Sequence, residues 1–176
     1  METEQSGTAA ETWLQEKIDK IYWYHTLDLG NGIITNGEFD FRPYLHNFRI
    51  PGDLTGKTVL DIGAASGFFS FEMEKRGARV TATELPRLLD HDFGQGYRTG
   101  ITEGDAEEFI HHPFSLAKKI LKSEVTMKYM NIYEITPALV GEYDMVFCGS
   151  VLNHLKDPVN AMIKIAGVTR EKAIIA

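Results

Sequence analysis

The stretch from Val59 to Glu84, VLDIGAASGFFSFEMEKRGARVTATE, constrains this chain more than any other. An apolar run enters a loop bounded by Gly63 and Gly67, a helical stretch follows, and a second apolar run ends on a carboxylate. Read as KTVLDIG, then SGFFSFEMEKRG closing on a C-cap at Gly77, then ARVTATE, this is a β-α-β unit. Two strands joined by a crossover helix lie parallel, and the loop between them opens at the carboxyl edge of the sheet, where such folds hold nucleotides.

The rest of the chain extends the same alternation. A helix is expected at FSLAKKILKS, strands at EVTMKYMNI and YDMVFCGS, a helix across DPVNAMIKIAGVT and a last strand at KAIIA. The expected fold class is α/β, a Rossmann-like doubly wound and mostly parallel sheet with helices on both faces. Ahead of it, Thr8 and Glu11 have capping-box spacing, and Leu14, Ile18, Ile21 and Tyr22 share one helical face through ETWLQEKIDKIYWYH. Two Asn-Gly pairs around IIT predict a short hairpin next. This divides the chain into an N-terminal helix and hairpin cap, residues 1–50, and a cofactor-binding domain, residues 51–176. Residues 85–113, rich in glycine and weak in periodicity, read as a long surface insertion with the character of a lid. The sequence stops on an apolar strand, an edge that proteins usually cover or charge. The expectation is a fragment lacking the last two strands, or an edge completed by a second copy or a partner chain.

Composition narrows the partners. With 176 residues the chain has the size of one domain, and its net charge of -7 leaves no bulk attraction for phosphates. Lys118, Lys119 and Lys122 are the one dense basic group, with the spacing of a solvated helix face. Cys148 is the single cysteine, so no disulfide framework and no thiolate zinc site is expected, and the chain suits a reducing compartment. A polar, acidic N-terminus and the lack of any long apolar run point to a cytoplasmic protein with no membrane span.

The loop chemistry selects among nucleotides. GDLTGKT, Gly52 to Thr58, superficially resembles a Walker A loop, but it has one residue too few between its glycines and precedes the strand it should follow. A dinucleotide fingerprint needs a middle glycine so that the pyrophosphate can approach the backbone. Here the loop runs Gly63-Ala64-Ala65-Ser66-Gly67, and alanine methyls stand where phosphates would pack. A ligand without phosphate fits better, which also argues against a nicotinamide oxidoreductase.

Asp61, Gly63 and Gly67, in the pattern Asp-x-Gly-x-x-x-Gly after a first strand, resemble the cofactor loop of class I S-adenosylmethionine-dependent methyltransferases. That resemblance implies S-adenosyl-L-methionine as cofactor, with Asp61, Gly63, Ala64 and Gly67 around its amino-acid end and Glu84 accepting hydrogen bonds from both ribose hydroxyls. Two hydroxyl donors suit a charged acceptor. Further blocks, WYHTLDLGNGIITNG, FSLAKKILKSEVTMKYMNIYEI and EYDMVFCGSVLNHLKDPVNAMIKIA, resemble the methyltransferase group related to the wobble-uridine tRNA carboxymethyl-transferring enzymes. Relatives show Gly-Val-Leu-Tyr-His-Leu near the last block, where this chain has Ser150 in the neighbourhood and Asn153 for the tyrosine.

By position, the resemblance puts Asn131 and Ile132 against the adenine and Ser150 where the cofactor's amino-acid group meets the acceptor. His154, after the fourth strand, is the candidate catalytic residue, an imidazole able to take a proton, although in-line methyl transfer can proceed on proximity alone. Trp23, His25 and Asn153 are the candidate substrate-binding residues, Trp23 offering an aromatic face to a sulfonium. Packing alone would also account for Ile132, and an anchoring face for Trp13 and Tyr22. His111 and His112 read as loop histidines, since adjacent side chains diverge and no third ligand lies at a metal-site spacing.

Three functions follow as expectations. The first is S-adenosylmethionine-dependent methylation of a small molecule or an RNA base, the acidic charge leaning toward the small molecule. The second is a truncated domain that binds cofactor or a partner without catalysis. The third is wobble-uridine carboxymethyl transfer, whose carboxylated cofactor needs a cation that the front segment lacks apart from Arg42.

Overall fold

The computed structural model describes residues 9–92, 102 and 107–176. Five parallel strands form its sheet: β3 (Thr58–Ile62), β4 (Arg79–Glu84), β5 (Thr126–Tyr129), β6 (Tyr143–Cys148) and β7 (Thr169–Ile175), side by side in the order β5-β4-β3-β6-β7. From β3 the chain winds first one way and then, at β6, the other. The point where the order reverses, between β3 and β6, opens a crevice at the strands' carboxyl ends.

Side-chain alternation builds a core on each face. Val59, Met145 and Phe147 enter one hydrophobic cluster with α2 (Phe68–Lys75) and α3 (His112–Leu121), while Leu60, Ile62, Val146 and Cys148 enter the other with α4 (Pro137–Val140) and α5 (Pro158–Val168). A sheet buried on both faces requires the continuous apolar runs that these strands carry. GDLTGKT lies ahead of β3 as a turn, with the Lys57 N–H donating to the Leu54 carbonyl. Lys118 and Lys119 ride on α3 and Lys122 is its left-handed C-cap.

Ahead of the sheet, α1 spans Ala9–Ile18 and ends sooner than the periodicity predicts. The indole N–H of Trp23 donates to the Ile18 carbonyl at 2.9 Å, and Trp23–His25 is extended as β1, paired in parallel with β2 (Gly37–Phe39). The aromatic run that looks helical is therefore a strand whose amides find partners elsewhere. Between β1 and β2 the Leu29 N–H donates to the Ile33 carbonyl and Thr35 N–H to Leu27, a tight antiparallel turn over the first Asn-Gly pair. Ile18, Trp23, Leu27, Leu29 and Ile33 share the hydrophobic cluster of α2 and β3, so this segment packs as part of the same core.

Of the expected insertion, residues 85–92 include a short turn at Leu88–Asp90, and Glu107–His111 forms a π-helical turn that runs into α3. The lid expected there falls largely outside the described residues. KAIIA does lie at the sheet edge, where the Ser150 N–H donates to the Ala176 carbonyl and the Ala176 N–H to Cys148.

Candidate functional site

A cleft of about 620 Å³ lies over the carboxyl ends of β3, β4 and β6. Its floor is the glycine loop. Gly63 has φ +75 and brings its Cα against Val151, where an added Cβ would collide with the valine methyl. The N–H groups of Gly63 and Ala64 both donate to the Thr83 carbonyl, at 2.9 and 3.1 Å, and that of Gly67 to Ala64. Ala65, a non-glycine residue at φ +46, aims its N–H at Glu84 Oε2, 3.0 Å away. Four of the loop's five amides are thus satisfied within the protein. A phosphate cradle needs such amides free, so the floor suits a nucleoside without phosphates.

Glu84 ends β4 with 8% of its surface exposed, and its other oxygen accepts the Leu85 N–H at 2.8 Å. Each carboxylate oxygen has one fixed donor and retains a lone pair, and the residue lines the cleft. Beyond it, Met130, Asn131 and Ile132 form the side wall. The Asn131 side-chain Oδ1 accepts the Tyr133 N–H, and the Glu134 side chain accepts the Asn131 N–H, a capping box that holds the turn Ile132–Glu134. Ile132 is buried and touches both the cleft and the core.

Asp61 lies elsewhere than its sequence position suggests. Its carboxyl is 2% exposed behind the loop, accepts the Ser70 hydroxyl, and does not line the cleft. Burial pushes its pKa up to about 7, against the Ser70 hydrogen bond, and the nearby Glu84 charge adds to the rise. Ala64, 3% exposed, and Gly67 also stand outside the lining; an added Cβ on Gly67 would meet Phe71 and Phe114.

On the far side, Gly149 and Ser150 turn the chain out of β6, Ser150 at φ +54, and Val151, His154 and Leu155 complete the wall. His154 is exposed at the cleft margin, with the Asn153 amide nitrogen 3.4 Å from its Nε2. Asn153 itself is exposed and does not line the cleft. Tyr133 and Asp92 tie the walls together: the Tyr133 hydroxyl donates to Asp92 at 2.7 Å, and the Lys156 N–H donates to the same carboxylate at 3.0 Å.

The front wall comes from the N-terminal segment: Tyr22, Tyr24, His25, Glu38, Phe39 and Phe41. Trp23 does not join it. It is 1% exposed, packed in the core with its indole N–H on Ile18, and alternation in β1 turns it away from Tyr22 and Tyr24. His25 lines the cleft among Phe41, Phe68 and Phe69, with ring centroids 5.6 to 6.0 Å away, and its Nδ1 is buried with no hydrogen-bond partner. Burial drives its pKa down to about 3, so the imidazole is neutral.

Sequence reasoning missed Ser66. Fully buried in the loop, its hydroxyl oxygen accepts the backbone N–H of Tyr24 at 2.9 Å and of His25 at 3.1 Å, clamping the front wall to the floor. A buried serine inside an otherwise small apolar loop was the available signal. His111, expected in a loop, sits on the helical turn before α3. Its ring centroid lies 4.2 Å from that of Tyr129, the two planes tilted by 47°, with Nε2 3.1 Å from the Leu85 carbonyl. No group of acidic, histidine or cysteine side chains among the described residues has metal-site geometry, and none of their helices is long and apolar enough to cross a membrane.

No family model matches the chain. It is similar to the ubiquinone biosynthesis O-methyltransferase of Pseudomonas paraeruginosa, 31% identical over 112 residues that cover 62% of this chain and 38% of that enzyme. It is similar also to the tRNA U34 carboxymethyltransferase of Campylobacter hominis, 33% identical over 110 residues, 62% of this chain and 31% of that enzyme. The chain thus spans about two fifths or less of the length of these relatives. Among solved structures it resembles the magnesium protoporphyrin IX methyltransferase of Synechocystis PCC 6803 with bound SAM, at a TM-score of 0.54 and 19% identity, over 76% of this chain and 54% of that one. The N-terminal domain of EvdMO1, in the presence of SAH and D-fucose, matches 99% of this chain and 66% of its own at a TM-score of 0.62 and 14% identity. The chain thus shares the fold of these SAM- and SAH-bound structures.

Proposed function

We propose that the cleft binds S-adenosyl-L-methionine and that the protein transfers its methyl group to a small molecule. The observation that carries this reading is the pairing of Glu84 with a loop in which four of five amides are already bonded. An acceptor-only carboxylate at the end of β4 is matched to a diol, and a floor with four of its five loop N–H groups already bonded is mismatched to phosphates. Glu84 would take the ribose hydroxyls, Met130, Asn131 and Ile132 the adenine, and the backbone of Gly63 and Ser150 the amino-acid end. The cofactor supplies an electrophilic methyl carbon on a sulfonium.

The chain's own residues then orient and shield. Apolar walls at Phe69, Phe147 and Leu155 exclude water from the methyl, and holding acceptor and methyl in line removes about 7–11 kcal/mol of barrier. His25, neutral through burial, accepts or donates a hydrogen bond there without storing a proton. His154, at the margin, is placed to pass a proton from acceptor to solvent. Asp61 acts from behind the floor, holding α2 through Ser70, and Gly67 lets α2 and α3 close on the loop. Residues 1–50 would then serve as the cap of the cofactor-binding domain, residues 51–176.

The described lining contains no lysine or arginine, and Arg42 is engaged by Asp40 outside it. A carboxylated cofactor or a tRNA phosphate would find no lysine or arginine in that described lining and would face Glu38, Glu84, Asp90 and Asp92, which favours plain methyl donation to a small acceptor. Calorimetric titration with S-adenosylmethionine and S-adenosylhomocysteine tests the reading. One-site binding of both is expected; a chain that binds neither sinks it.

A further inference from the structure

The front wall carries a feature that cofactor binding does not use. Glu38 lines the cleft in the company of aromatic rings: its Oε2 accepts the Tyr22 hydroxyl at 2.6 Å, and Tyr24 packs 4.8 Å from Phe39, ring to ring, on the same wall. Its Oε1 has no hydrogen bond among the described residues. The other lining carboxylates are engaged, Glu84 by the backbone amides, Asp90 by Arg87 and Asp92 by Tyr133 and Lys156. Beside this group stands the buried imidazole of His25, 4.9 Å from Tyr24, whose Nδ1 is the one buried side-chain polar atom without a partner among the described residues.

We propose that Glu38, with Tyr22, Tyr24 and Phe39, forms a cation subsite and that the acceptor is a small amine, carried there as an ammonium ion. The proposal rests on the methyltransferase reading and adds the class of acceptor to it. Aromatic faces attract a cation through their quadrupole, and an exposed carboxylate beside them neutralises it while excluding anions. A neutral alcohol could give Glu38 a hydrogen bond but brings no charge for the carboxylate and the rings to attract. His25 is neutral and adds no positive charge beside the subsite, so this wall needs no charge reversal between substrate and product.

The chemistry balances without a further reactant. The bound ammonium gives one proton to water at the mouth of the cleft, where Glu38 is exposed. The freed nitrogen lone pair attacks the methyl carbon as the carbon–sulfur bond breaks, its electron pair staying on sulfur. The products are S-adenosylhomocysteine and an N-methylammonium ion, which the same subsite accommodates.

The test compares two ligands of one shape, choline, which bears a quaternary ammonium, and 3,3-dimethylbutan-1-ol, which bears no charge. Each is titrated by NMR into the protein alone and into the protein saturated with S-adenosylhomocysteine, with wild type and Glu38→Gln. Choline is expected to bind at least tenfold tighter than the alcohol in both states, and Glu38→Gln to abolish the preference. Equal affinities in wild type, or a preference that survives Glu38→Gln, overturn the subsite. Displacement of choline by S-adenosylhomocysteine assigns Glu38 to the cofactor's amino group and overturns the amine acceptor. Failure of S-adenosylhomocysteine to bind overturns the methyltransferase reading alone, because the cation preference is read on the unliganded protein as well.

Discussion

The Glu84 carboxylate accepts the backbone N–H of Ala65 at 3.0 Å, from the far side of the glycine loop. The same oxygen that is proposed to meet the ribose therefore also holds the floor in shape. Glu84→Ala is expected to weaken S-adenosylhomocysteine binding at least tenfold, about 1.4 kcal/mol, measured by calorimetry. Glu84→Gln keeps one acceptor oxygen and should lose less. Equal affinity in wild type and Glu84→Ala would remove this residue from the site.

Gly67 stands at φ +93, and an added Cβ would lie 2.5 Å from Phe71 Cε2 and 2.9 Å from the Phe114 ring. Gly67→Ala is expected to cost about 1–3 kcal/mol through overpacking, with a further 1–2 or so for the left-handed backbone. Urea denaturation measures it. Gly56 has φ +76 in the turn closed by the Lys57 N–H to Leu54 bond, with open space around it, so Gly56→Ala carries only a backbone part and serves as the comparison.

The buried Asp61 gives stability a distinctive pH dependence. Its pKa rises from 3.8 in the unfolded chain to about 7 in the fold, so between those values the folded state binds the extra proton. That contribution is complete below about pH 4 and is lost as pH rises through 7, at about 1.4 kcal/mol per pH unit. Stability of the wild type relative to Asp61→Asn should therefore fall from pH 4.5 to 6.5 and level off above 7.5, as read from urea midpoints. A flat difference would show that Asp61 titrates normally.

The absence of lysine and arginine from the described lining makes a statement about cofactor choice. S-adenosylmethionine is expected to bind at least tenfold tighter than its carboxylated analogue in paired calorimetric titrations. A preference for the analogue would favour carboxymethyl transfer over plain methyl donation.

The sheet was legible in the sequence wherever burial on both faces writes a continuous apolar run, as at TVLDI and YDMVFC. The loop was legible because its glycines answer a steric demand that shows in one position at a time. Trp23 was misplaced for the opposite reason: YWYH fits a helix face by spacing, and only the Trp23 bond to Ile18 and the Ser66 bonds to Tyr24 and His25 make it a strand. Those partners lie outside the local window, and so does the burial that removes Asp61 from the cleft. Glu38 carries no pattern of its own; its place depends on the β1–β2 pairing.

Ser66 links two walls that recognise different things. If S-adenosylmethionine stiffens the loop from Gly63 to Gly67, Ser66 conveys that order to Tyr24 and His25, and an acceptor that steadies the front wall returns the favour to the loop. Coupling of this kind is reciprocal, the factor by which one ligand sharpens the other's affinity being the same in both directions. A single hydroxyl, shared between two amides, would then make each substrate bind more tightly once the other is in place.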